Sequence, residues 1–171
     1  MRALRFFAAL GLAIVVHLIG VRIDPGFARA VDVFIVLIAL HALDGNSLSA
    51  LFVGLLVGLV HDTLTGGLFG FFGFAGTIVG YGTARLSQRL VIQRPTGVLA
   101  VVSFATALEQ TIVVGLAFLL LPDPPLPDPL WIAIQSGVCG VLGAIVYVLT
   151  GHWRRNAEAR RRNRMSRLRL G

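Results

Sequence analysis

Few residues in this chain could do chemistry, and their spacing decides what kind. Glu109 stands near the middle of an apolar run at 96–121, where Ser103, Thr106, Glu109 and Gln110 recur on one face at helical spacing. A carboxyl group deep in an apolar helix is costly unless it is neutral or paired. His17, in an earlier run, and Gln135, in a later one, are the residues able to partner it. The stripe reads either as a polar anchor inside a helix bundle or as part of a proton or substrate path. The anchor is favoured, because the sequence shows no second deep acid, no intramembrane arginine and no pair of broken helices. Asp62, between His61 and Thr63 at the end of another run, reads as a carboxylate that faces water or caps the following Gly66-Gly67 turn. An interhelical hydrogen bond across a hairpin is its alternative, and Asp32 reads as interfacial.

Other chemistry is not expected. His17, His41, His61 and His152 fall in different runs and give no ligand set, whereas a metal site needs three or four converging ligands. The single cysteine, Cys139, excludes an intramolecular disulfide and a Cys-based cluster. A nucleophile elbow and a phosphate-binding glycine loop are both missing from the 171 residues, so no enzyme activity, cofactor or metal is expected.

The elements that must position these residues are membrane helices. Only 13% of the chain is charged and 56% is hydrophobic, against about a quarter charged in soluble domains. Apolar runs lie at 4–20, 27–42, 48–64, 68–86, 96–121 and 130–150. A span needs about 20 residues, so the second and third runs are short, and thinning, tilt or a partly re-entrant path is open to them. The expectation is an all-α membrane domain of six spans over residues 1–151, followed by an Arg-rich cytoplasmic tail at 152–171. Asp44-Gly45-Asn46-Ser47 and Thr65-Gly66-Gly67 read as turns, and five prolines between 122 and 129 read as an extended loop. The Ala28-Arg29-Ala30 sequence has the shape of a signal cleavage site, but two arginines and a Pro-Gly separate it from the first apolar run, so an uncleaved first helix is expected.

Charge placement sets the orientation. All fifteen basic residues are arginine. Six spans with both ends cytoplasmic put Arg2, Arg5, Arg85, Arg89, Arg94 and the eight arginines after residue 152 inside, leaving Arg22 and Arg29 outside. The tail residues Arg154, Arg155, Arg160, Arg161, Arg162 and Arg164 read as an anchor on anionic lipid, or as a contact for an acidic partner. The high isoelectric point reflects this tail and not nucleic-acid binding.

Glycine supplies the last pattern. Gly54, Gly58 and Asp62 follow at four-residue steps, and Gly76 and Gly80 form a second pair with Gly73 near their face. Small residues let helix backbones touch in lipid. The bland reading is packing within the chain. The sharper one is a docking face for another membrane protein, a second copy of the chain included.

Residues 54–82 carry a glycine-rich helix, Asp62, Gly66 and Gly67, then Leu68 and Gly70 opening the next helix. This stretch resembles the signature of the rod shape-determining protein MreD family, and length and loop pattern extend the likeness loosely over residues 1–150. His61 stands where the family often has an amide. The resemblance implies a non-catalytic bacterial inner-membrane subunit of the cell-elongation machinery that binds MreC. Through MreC it would help couple MreB filaments to RodA and its class B penicillin-binding partner in peptidoglycan synthesis. It also implies a fold similar to the S components of energy-coupling-factor transporters. The rival reading is therefore a vitamin-binding transporter subunit, although the placement of Trp131, Trp153, Tyr81 and Tyr147 does not favour an aromatic-lined outer cavity.

Overall fold

The computed structural model describes residues 2–43, 46–66, 68–89, 94–124 and 127–168, with side chains described between 4 and 151. Among them all regular structure is helical: α1 (Arg2–Ile23), α2 (Phe27–Ala30), α3 (Val33–Leu43), α4 (Ser47–Thr65), α5 (Phe71–Arg89), α6 (Pro95–Leu120) and α7 (Pro129–Leu168). Local chemistry explains the ends. The Asn46 side chain accepts the Leu48 amide at 3.1 Å and starts α4. Gly66, at φ 65, closes α4 in the left-handed conformation that glycine adopts without strain. Pro95 sits in the first turn of α6, where its missing amide is no loss.

Four helices are long and apolar enough to cross a membrane: Leu4–Ile23, Ser47–Thr65, Pro95–Leu120 and Pro129–Gly151. The expected second span is different. It breaks at Val31 and Asp32 into the four-residue α2 and the eleven-residue α3. At a rise of about 1.5 Å per residue, α3 covers only about half of a hydrocarbon core of roughly 30 Å. α5 has the length of a span but mixes glycine, threonine, serine and arginine into its sequence. The backbone of α7 continues past the apolar stretch to Leu168, through most of the arginine-rich segment.

α3 is the hub. It packs against α1, α4, α5, α6 and α7, and Phe34, Ile35, Ile38 and Ala39 on it are buried on all sides. Its freedom from an amphipathic pattern follows from this enclosure, since a helix surrounded by protein has no solvent face.

The closest approach is between α4 and α5. A methyl group added at Gly54 would strike the carbonyl of Gly76, and one at Gly58 would strike the carbonyl of Phe72. On α5, a methyl at Gly80 would lie 2.5 Å from the Ala50 carbonyl, and one at Gly76 would lie 3.2 Å from Ile38 of α3. Gly54, Gly58, Gly73, Gly76 and Gly80 are all buried. This glycine face is therefore occupied within the chain by the α4–α5 seam and α3, which leaves no open docking stripe there.

Candidate functional site

Asp62 closes the α4–α5 hairpin. It is 3% exposed, so it does not face water, and both of its oxygens reach past the turn to the start of α5. Its Oδ2 accepts the amides of Gly70 and Gly73, and its Oδ1 accepts the amide of Phe72, each at 3.0 Å. These are first-turn amides of α5, which lack intrahelical partners. Gly70, at φ 103, turns the chain so that its amide points back at the carboxylate. Thr65 folds its hydroxyl onto the carbonyl of His61 at 3.0 Å.

Beside it, from His61 on, lies a second polar region that no single stretch of sequence contains. Asp32 is buried at the break before α3. Its Oδ1 accepts the amides of Phe34 and Ile35 at 2.9 and 3.2 Å and so caps α3. Its main chain is held by α7: the Asp32 amide donates to Cys139 Sγ at 3.3 Å, and the thiol donates to the Asp32 carbonyl at 3.6 Å. The other oxygen, Oδ2, faces His61 Nδ1 at 3.6 Å. The His61 ring stacks on Phe34 at 4.7 Å between centroids and lies 4.0 Å from Phe72. His17 of α1 meets the same group, 5.8 Å from His61 and 5.3 Å from Phe34.

Glu109 enters from α6 and is 1% exposed. It continues the buried face of α6 that carries Val102, Ala105 and Thr106, and this face joins Phe34 of α3 and Cys139 of α7 in one packed core. The Thr106 hydroxyl, one turn before it, donates to the Val102 carbonyl at 2.9 Å. The expectation of a lone deep acid is corrected, because Asp32 and Asp62 are buried as well. His17 and His61, from different runs, come within 5.8 Å between ring centroids, while His41 meets Ser49 at 3.1 Å elsewhere. Gln135 is buried but reaches the carbonyl of Ala28 at 3.5 Å. Gln110 is only half-buried.

No family model, curated protein or solved structure matches this chain.

Among the described residues, no group of three His, Cys, Asp or Glu side chains is arranged to hold a metal ion. A groove of about 590 Å³ lies away from the polar centre, between the start of α4 and the end of α5, lined by Asn46, Ser47, Tyr81, Arg85 and Gln88. There the Arg85 Nε donates to the Tyr81 hydroxyl at 3.0 Å. Of the residues singled out from sequence, Gly67 and the side chains of Arg154, Arg155, Arg160, Arg161, Arg162 and Arg164 lie outside the described residues, as do Asp44 and Gly45 of the first turn and Pro125 and Leu126 of the proline loop. Phe34 was not singled out, and Asp32, His61 and Cys139 were read separately, with nothing to suggest that they meet. An Asp directly before an eleven-residue apolar run is an N-cap signal that marks Asp32. Nothing in the sequence pairs Cys139 with it.

Proposed function

We propose that this protein is a non-catalytic, multi-pass subunit of the bacterial cell-elongation complex, resident in the inner membrane with both termini cytoplasmic. The observation that carries the reading is the coherence of the residues behind the resemblance to the MreD family. Asp62, Gly70 and the glycines of α4 and α5 form a single hairpin in which the carboxylate ties down the next helix. A motif whose parts lock one another in this way sets a rigid surface for a partner helix. In this reading α2 and α3 together make the second pass and α5 the fourth, giving six passes, and MreC binds on the outer side of the hairpin. Through MreC the subunit is linked to MreB, RodA and the class B penicillin-binding protein. The polar atoms at the centre of the bundle are shut away from solvent, which favours this reading over an outward-open vitamin receptor of the S-component type.

The test is co-purification. Full-length chain and the MreC of the same bacterium are co-expressed, and each is captured by a tag on the other from solubilised membranes. Capture of MreC that is weakened by Asp62→Ala at normal membrane abundance is expected. Absence of capture, with rod shape unchanged when the gene is depleted, overturns the reading.

A further inference from the structure

Four side-chain atoms in the polar centre have no hydrogen-bond partner, although each is sealed from solvent: His17 Nδ1, His61 Nδ1, Asp32 Oδ2 and Glu109 Oε2. They come from α1, α4, the break before α3, and α6. Buried polar atoms are almost always paired, and leaving one without a partner is costly. The surrounding fold is well able to satisfy such groups. Asp62 holds three amides, Asp32 Oδ1 holds two, and the Cys139 thiol both donates and accepts. Among the described residues, the orphans are therefore a property of this one place.

Their chemistry is complementary. A carboxylate oxygen only accepts, and an imidazole nitrogen accepts or donates according to its proton. One added proton and one bound water supply the missing donors, and a buried water needs two to four polar partners of this kind. We propose that the polar centre is an internal proton-binding site, in which a proton taken from solvent is shared through bound water between Glu109 and the Asp32–His61 pair. In the transfer the O–H bond at Glu109 Oε2 breaks, the water accepts that proton as it releases another, and an N–H bond forms at His61 Nδ1. No electrons change hands. The charge of the centre changes by one only when a proton enters or leaves from outside.

The titratable groups facing the centre are His17 from α1, Asp32 before α3, His61 and Asp62 from α4, Glu109 from α6 and Cys139 from α7. α5 contributes backbone amides and the Phe72 ring. Asp62 is committed to its amides and Cys139 to the Asp32 main chain, so the exchange falls to the remaining four. The position of Asp32 gives the proton a mechanical consequence. Its carboxylate caps α3, while its main chain is held by α7, so its charge bears on the joint between α2 and α3.

The experiment uses the purified full chain in lipid nanodiscs and is independent of any partner. Infrared difference spectra are recorded after a pH step in H2O and in D2O. The expected result is a carboxylic-acid carbonyl band that moves to lower frequency in D2O and disappears in Glu109→Gln. His61→Gln and Asp32→Asn are expected to shift the band or its pH midpoint, and the exposed Asp128→Asn to leave both unchanged. Circular dichroism establishes that each variant is folded. Nitrogen-15 histidine spectra of the unmodified protein, which need no variant, should show His61 changing state over the same pH range as the band. A band that survives Glu109→Gln overturns the proposal. So do histidine signals that stay constant across that range, or folded His61→Gln and Asp32→Asn proteins whose band and midpoint match the wild type.

Discussion

The α4–α5 hairpin and the polar centre use the same kinds of residue to opposite ends. In the hairpin, the Asp62 carboxylate accepts three amides, and glycines bring the two backbones together. In the centre, Asp32 and Glu109 each keep an oxygen, and His17 and His61 each a nitrogen, without a hydrogen bond, although Asp32 Oδ2 and His61 Nδ1 face each other at 3.6 Å. The hairpin has every group committed, so disturbing it should change stability. The centre stores unsatisfied polar atoms, so conservative changes there should alter chemistry while leaving stability nearly intact.

The largest effect should come from Asp62→Ala. Hydrogen bonds to charged groups contribute about 1.5–3 kcal/mol each, so losing three amide contacts should lower stability by a few kcal/mol, read as a large fall in the thermal midpoint in detergent. Asp62→Asn sharpens the comparison. Two oxygens serve three amides, so an amide side chain turns one acceptor into a donor facing an N–H group. It should fall between wild type and Ala. If Asn matches wild type, the hairpin is not held by charge-assisted bonds.

Next in size is the glycine seam. Gly58→Ala sets a methyl against the Phe72 backbone, which cannot swing aside. Overpacking typically costs about 1–3 kcal/mol, and co-purification with the partner should fall in parallel. Leu56, 39% exposed, is the proper neutral site, and Leu56→Val should behave as wild type. Equal loss at both positions would mean that close backbone contact is not what matters.

Cys139→Ala should cost about 1 kcal/mol, the scale of a single buried hydrogen bond. The unmodified thiol, 0% exposed, should resist maleimide until the protein is denatured. Rapid labelling of folded protein would show that α7 does not close over Asp32. The smallest stability effect belongs to Glu109→Gln, expected within about 0.5 kcal/mol of wild type because size and shape are retained. A loss as large as that of Asp62→Ala would erase the distinction between the two regions.

Much of the fold was legible from hydropathy alone. The apolar runs at 4–20, 48–64, 96–121 and 130–150 match the four helices able to span a membrane, α1, α4, α6 and the first part of α7, to within a few residues. Burial in lipid or protein acts on each residue locally, so composition along the chain reports it. The deep position of Glu109 followed in the same way. The glycine pairs showed that two helices approach closely, but α4, α5 and α3 as the surfaces involved emerged only in three dimensions.

What only the tertiary structure decided is who meets whom. Asp32, Asp62 and Glu109 are separated by 30 and 47 positions in the sequence, yet all three are buried inside the helix bundle. His17 and His61 lie in different helices and come within 5.8 Å between ring centroids. The break at Asp32 also escaped a reading by hydropathy, because Val31 and Val33 keep the run apolar across it. The helix stops there because its donors and acceptors are taken up by Cys139 on α7, 107 residues away. Hydropathy is a property of each residue and survives in one dimension, whereas a hydrogen bond between distant helices depends on packing that no local pattern encodes.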